Sequence, residues 1–207
     1  TNTKRDIEGT FKKVWNTRGV KDANYSETRL PEVPSAIIET LSHQNFGDMK
    51  LGQDPNFKFT LARSIYKSIL RYTASLHKRP YIVQPLAPDN FRIEYVSKDK
   101  VRLKWNGVND PLEPTAKPTS YNIYMATGTS GFDNGVNVNG NSYEITLEPN
   151  VLYNFRVTAC NHGGESFPTE VLSAYHKEGA KQTILIVNGF HRLSSPAIID
   201  NDTEQGF

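Results

Sequence analysis

A chain of 207 residues is long enough for one large domain or two modest ones. Its 24 Lys and Arg against 22 Asp and Glu leave a net charge of +2, with no basic cluster, which argues against a nucleic-acid partner. The mean hydropathy of −0.56 and the want of any apolar run near the about 18 residues a bilayer requires argue against a membrane span. A single cysteine, Cys160, excludes an internal disulfide and a cysteine-rich zinc site. The chain starts at Thr1 with no basic stretch leading into an apolar one, so it reads as a piece of a longer protein whose leader or upstream segment is gone.

The first 80 residues read as mixed α/β. Ile7, Phe11, Val14 and Trp15 recur at helical spacing and Gly19 offers a stop, so about three turns of helix are expected there. Pro34 to Leu41 is a short apolar run with β-branched residues, expected to be a buried strand with Glu39 near its C-terminal end. Asp54 and Pro55 suit the N-cap and first position of a second helix. Leu61, Ala62, Ile65, Tyr66, Ile69, Leu70, Tyr72 and Leu76 give it a wide apolar stripe. A helix, a strand and a helix are too few to bury one another's apolar faces, so this part is expected to be the remainder of a larger domain.

From Lys78 to Pro88 the chain is punctuated by Pro80, Pro85 and Pro88, which cannot continue a helix and favour an extended path. A domain boundary is expected here. From Phe91 the period is two: Val101, Leu103 and Trp105; Tyr121, Ile123 and Tyr124; Tyr143, Ile145 and Leu147; Tyr153, Phe155, Val157 and Ala159. Turn clusters such as Asp133-Asn134-Gly135 and Asn139-Gly140-Asn141 separate the runs, the pattern of an antiparallel β-sandwich. Beyond Gly179, Thr183 to Val187 is nearly all apolar and runs into Asn188-Gly189, which suits a buried strand ending in a tight turn.

The residues over 85–177 closely resemble a fibronectin type III domain. The likeness is carried by Pro88 and Phe91, by Trp105 closing its strand, by Tyr121 to Tyr124, by Leu152 to Ala159, and by Asn161 to Ser166 as the loop of a final hairpin. It implies an immunoglobulin-like sandwich with Trp105 between the sheets, Tyr153 at a corner where its hydroxyl bonds to the main chain, and no catalytic site of its own. The integrin-type Arg-Gly-Asp tripeptide is absent.

The first segment resembles the C-terminal part of the zinc-dependent N-acetylmuramoyl-L-alanine amidases. Pro34 to Glu39 resembles their last strand, Asn45, Asp48 and Leu51 the following loop, Ala62, Ile65, Tyr66 and Ile69 the closing helix, and Arg18 to Tyr25 the lead-in. The resemblance implies a catalytic Glu39 acting on a zinc-bound water, zinc in the parent protein but none expected in this chain, and peptidoglycan or another glycan as partner. It further implies an exported parent. The family's zinc-ligand motifs have no counterpart before Glu39, and Ser42-His43-Gln44-Asn45 matches none of them in spacing. Ile184 to Arg192 resembles the start of the α/β domain that follows a fibronectin module in Bacteroidetes proteins labelled xanthan lyase or golvesin-like.

The fold expected is thus an α/β remnant over 1–80, a fibronectin type III sandwich over 81–178, and the start of a further domain or a tail over 179–207. The function expected is that of an inactive fragment of a cell-wall hydrolase, or alternatively a non-enzymatic spacer or adhesion segment of a polysaccharide-processing surface protein. Other groups read as structural. His77, His162, His176 and His191 show no ligand spacing; Gly163 to Ser166 is a turn, and Asp133 to Gly135 lacks the ligand ladder of a calcium loop.

Overall fold

The computed structural model describes residues 2–187 and the backbone of a short strand pair, Ile199–Asp200 with Gln205–Gly206. The chain divides into two compact units, residues 1–69 with 188–207, and residues 70–187, with the division falling inside one helix.

In the first unit α1 spans Asn2–Phe11, ending earlier than the apolar spacing predicts. Lys12 takes the left-handed conformation (φ 54°) and its N–H still reaches the Glu8 carbonyl, so the chain turns off the helix axis. The Trp15 N–H then donates to the Glu8 carboxylate at 2.6 Å. This carries the Trp15 ring onto Phe57, stacked at 5.4 Å, beside Phe11 at 5.7 Å from the same ring. Val14, expected on the buried stripe, is exposed.

A four-residue turn of helix, α2 (Ser26–Arg29), is followed by the segment expected to be a buried strand. Residues 34–41 form no strand, and Ile37 and Ile38 are exposed. A strand needs a neighbour to satisfy its backbone groups, and the described strands of this unit, Ile199–Asp200 and Gln205–Gly206, pair with each other. Next comes α3 (Phe46–Gln53), where a loop was expected; Asn45 caps it by accepting from the Asp48 N–H at 3.3 Å, while the Asp48 carboxylate accepts the Ser42 N–H at 2.9 Å.

The long helix α4 runs Pro55–Leu76 and begins as expected, with the Asp54 carboxylate accepting the Asn56 N–H at 2.8 Å. Its buried side departs from expectation. In the first unit the residues it buries are Phe57, Ser64 and Lys67. Lys67 Nζ lies 2.9 Å from Asp6 of α1, and Ser64 donates to the same carboxylate at 3.3 Å. Asp6 and Lys67 are 1% and 2% exposed, so each charge depends on the other for its place in the interior. Burial pushes the Asp6 carboxyl upward, but hydrogen bonds and attraction from Lys67 and Arg5 outweigh it and hold the group below its ordinary value.

The second unit is a two-sheet β-sandwich. One sheet has the order β1 (Asp89–Tyr95), β2 (Lys100–Asn106), β5 (Ser142–Thr146). The other joins β4 (Val136–Val138) to β3 (Ser120–Thr127) and β3 to β6 (Leu152–Asn161), which also pairs β7 (Gly164–Glu165) and β8 (Leu172–Tyr175). All the pairs are antiparallel, and registers such as Val101↔Ile145 and Ile123↔Val157 put apolar residues opposite one another on the inner faces.

The period-two reading holds here. Val101, Leu103, Trp105, Tyr121, Ile123, Leu147, Tyr153, Phe155, Val157 and Ala159 form the core, with Tyr143 and Ile145 half-buried against it and Tyr124 on the outer side of β3. Trp105 meets Tyr121 edge-on at 5.5 Å. The Glu148 N–H donates to the Tyr153 hydroxyl at 3.2 Å, the corner expected of that tyrosine. Residues 182–187 form no strand and Ile184 to Val187 are 77–87% exposed, contrary to the buried strand expected. The rest of that motif, Asn188 to Arg192, lies outside the described residues.

Candidate functional site

The most developed polar cluster of the second unit lies where the chain enters the sandwich. Arg71, in the last turns of α4, donates from one terminal nitrogen to Glu113 at 2.5 Å and from Nε to the Tyr81 hydroxyl at 3.1 Å. Its guanidinium also lies 5.6 Å from the Tyr81 ring centre. Glu113 is 3% exposed, and Thr115 donates to its other oxygen at 2.8 Å. Burial works against the Arg71 charge, but the hydrogen bonds to Tyr81 and Glu113 more than offset it and hold the guanidinium above its ordinary value. The strong pairing follows from the low exposure, because a buried carboxylate without a cation would be very costly.

The connector expected to be a plain extended linker is bonded into this cluster. The Val83 N–H donates to Thr115 Oγ1 at 3.2 Å, and Asn161 Nδ2, from the end of β6, donates to the Val83 carbonyl at 2.9 Å. The same Asn161 amide lies 3.2 Å from the Thr115 carbonyl, and its oxygen accepts the Gly163 N–H at 2.7 Å. Val83, Pro85 and Pro88 are buried, so two of the three connector prolines serve as packing, while Pro80 is exposed. Gly163 is required by this approach: a Cβ there would stand 2.3 Å from the Ile82 carbonyl oxygen.

A second cluster covers the outer side of the β3–β6 sheet. The Arg156 guanidinium sits 4.2 Å from the Phe132 ring centre and 5.1 Å from that of Tyr124. The Tyr124 hydroxyl donates to Glu165 at 2.6 Å, and Thr158 donates to the same oxygen. Burial pushes the Glu165 carboxyl upward, but the hydrogen bonds from Thr158 and Tyr124 keep it below its ordinary value; the bond to Glu165 raises the Tyr124 hydroxyl in turn. Asn137 donates to Asn122 at 2.7 Å alongside. The Tyr124, Thr158 and Glu165 groups are bonded to one another, the buried Arg156 Nε has no hydrogen-bond partner among the described residues, and Tyr124 lies under the guanidinium rather than open for stacking.

Glu39, the candidate catalytic residue, is exposed, with its carboxylate 3.9 Å from Arg18 and both side chains largely in solvent. Among the described residues no group of three His, Cys, Asp or Glu could hold a metal ion. The described residues thus offer no ligand set that fits zinc. Asp133 accepts the N–H groups of Met125 and Gly135, both at 3.0 Å, and so closes a turn. Among the described residues no helix is long and apolar enough to cross a membrane.

Residue spacing points to neither Arg71 with Glu113 nor Asn161 with Val83, because the partners are 42 and 78 positions apart. The one available signal is Gly163-Gly164 beside a side-chain amide, a loop built for close backbone approach.

Comparison with known proteins places the sandwich. The family model for the fibronectin type III domain matches residues 86–175. The mutant FN3tt structure is similar, at 23% identity over 45% of this chain and 98% of its own, with a TM-score of 0.38. So is the third fibronectin III domain of a human protein, solved in solution, at 20% identity over 51% of this chain and 92% of its own, with a TM-score of 0.40. A titin crystal structure matches at 26% identity over 46% of this chain and 33% of its own, also with a TM-score of 0.40. The search of curated proteins found no match. Residues 86–175 of this chain are a fibronectin type III domain.

Proposed function

We propose that residues 70–187 act as a non-catalytic connecting module, a spacer whose N-terminal entry is fastened to the sandwich rather than free. The observation that carries this reading is the bonded entry: Arg71 on buried Glu113, the Val83 N–H on Thr115, and the Val83 carbonyl under Asn161. A free linker of 77–86 would leave its backbone to water and carry no buried side chains; here Val83 is fully buried. The polar groups of the sandwich serve its own structure, and in this reading Glu39 has no catalytic duty.

Limited proteolysis of the 207-residue chain tests the proposal. Wild type should resist cleavage between residues 77 and 86 under conditions that cut exposed loops, and Arg71→Ala with Asn161→Ala should open that stretch. Wild-type cleavage there as fast as at an exposed tail would overturn the fastened entry. Release of soluble fragments from a glycan substrate, lost in Glu39→Gln, would overturn the non-catalytic reading.

A further inference from the structure

Two stretches of the chain read Asn-x-Ser/Thr, namely Asn24-Tyr25-Ser26 and Asn201-Asp202-Thr203. This is the acceptor pattern for an N-linked glycan, in which the hydroxyl two positions on is held by the transferring enzyme while the asparagine amide enters its site. The two differ upstream. Asp22 stands two positions before Asn24, whereas Ile199 stands two positions before Asn201. The first stretch therefore carries a carboxylate, an amide and a hydroxyl at alternate positions, 22, 24 and 26. Drawn out in an extended conformation, alternate side chains fall on one side of the backbone, so all three groups face a single partner. Asn201 lies outside the described residues.

The fold of the first unit leaves this stretch open. From Val14 to Tyr25 the chain takes no helix or strand, and Asp22, Ala23, Asn24, Tyr25 and Ser26 are all exposed. The Tyr25 N–H donates to the Ala23 carbonyl at 3.1 Å, which closes a three-residue turn with Asn24 at its centre. Tyr25 is itself extended (φ −94°, ψ 141°) and leads into α2. Among the described residues the Asn24 amide has no hydrogen-bond partner. The Ser26 hydroxyl donates to the neighbouring Glu27 at 3.2 Å, a contact between two exposed groups. No buried side chain has to move for the three groups to meet an enzyme, which is what a transferase acting on a folded chain needs of its acceptor loop. Beside the site Val20 is 91% and Tyr25 52% exposed, apolar surface that a hydrophilic glycan would cover.

We propose that Asn24 is the acceptor of an N-linked oligosaccharide, delivered from a lipid pyrophosphate by an oligosaccharyltransferase that holds Asp22 through a cationic side chain and Ser26 through its hydroxyl. In the transfer Asn24 Nδ2 bonds to the anomeric carbon of the first sugar. The bond from that carbon to the pyrophosphate oxygen breaks, its electron pair leaves with the lipid pyrophosphate, and the proton lost by Nδ2 passes to a carboxylate of the enzyme. Nothing is oxidised or reduced. The site belongs to the first unit and does not depend on the connecting role argued for residues 70–187.

Incubating the folded 207-residue chain with a bacterial oligosaccharyltransferase that selects acceptors with an acid two positions before the asparagine, and with its lipid-pyrophosphate-linked oligosaccharide, tests the proposal. Trypsin cuts after Lys21 and Arg29, so the mass of peptide 22–29 reports the site. Wild type should gain one oligosaccharide on that peptide, at a rate within about tenfold of that of a free synthetic peptide of residues 18–30, because the loop is already exposed. Asn24→Gln and Ser26→Ala should abolish the gain, Ser26→Thr should keep it, and Asp22→Ala should slow it by about tenfold or more. The circular dichroism of all four variants should match wild type, since every substituted position is exposed. A native chain left unmodified while the free peptide is modified, a free peptide that is itself left unmodified, a gain on Asn201 in place of Asn24, or a rate indifferent to Asp22→Ala would each overturn the proposal.

Discussion

Arg71 and Glu113 meet at 2.5 Å across 42 positions of sequence, one at the end of a helix and the other just before the 3₁₀ turn Pro114–Ala116. Glu113 is almost fully buried, so its charge is tolerable only while the guanidinium is present. Arg71→Ala should therefore destabilise the second unit by about 3–5 kcal/mol, the cost of an uncompensated buried charge. Adding Glu113→Gln should restore part of the loss, because the orphaned charge is removed. Urea unfolding of the two variants, followed by near-UV circular dichroism, checks both statements.

The core of the sandwich makes a second demand. Trp105 is 1% exposed and packed edge-on to Tyr121, so Trp105→Ala should cost about 3–5 kcal/mol. Tyr153→Phe keeps the packing and removes the acceptor of the Glu148 N–H, and should cost less, about 1–3 kcal/mol. Equilibrium denaturation of both variants reads the difference directly.

Gly163→Ala should be far more damaging than a turn substitution usually is. The added methyl would stand 2.3 Å from the Ile82 carbonyl oxygen, next to the Val83 backbone whose N–H and carbonyl are both hydrogen-bonded. A loss of about 1–3 kcal/mol is expected from the forced displacement. Gly131→Ala, where a Cβ would meet nothing within 4 Å, should be nearly silent. The two melting temperatures side by side make the comparison.

Acid should loosen the first unit. The Asp6 carboxyl is held below its ordinary value of 3.8 by Lys67 and Arg5. A carboxyl depressed in the folded state contributes stability above its unfolded pKa, and that contribution disappears as the pH falls through the folded value. Helical circular dichroism should accordingly hold steady between pH 7 and 5 and weaken below about pH 4. Asp6→Asn should lose stability at pH 7 and show a flatter profile below pH 5.

How much of this could be read in the sequence depends on the range of the forces. The sandwich was legible because alternation along Val101 to Trp105 and Tyr153 to Ala159 records the two sides of a sheet locally, residue by residue. The start of α4 was legible from Asp54 and Pro55 for the same reason. Residues 34–41 read as a strand but form none, because propensity cannot provide the neighbouring strand that a ladder requires. The buried face of α4 departs from its apolar stripe because Lys67 pairs with Asp6, 61 positions earlier, and is drawn inside with it. The end of α1 followed a side-chain bond from Glu8 to the Trp15 N–H, which no periodicity encodes. The entry cluster is not legible because its members, Arg71, Val83, Glu113 and Asn161, are far apart in sequence and meet only through the tertiary fold.

Amide hydrogen exchange at Val83 in the full chain tests the fastened entry most directly. Its N–H is bonded to Thr115 Oγ1 and the residue is completely buried, so it should exchange as slowly as amides of the core strand β6, such as Phe155, through the same global opening. Exchange at Val83 as fast as in an unstructured linker, with Phe155 still protected, would contradict the account.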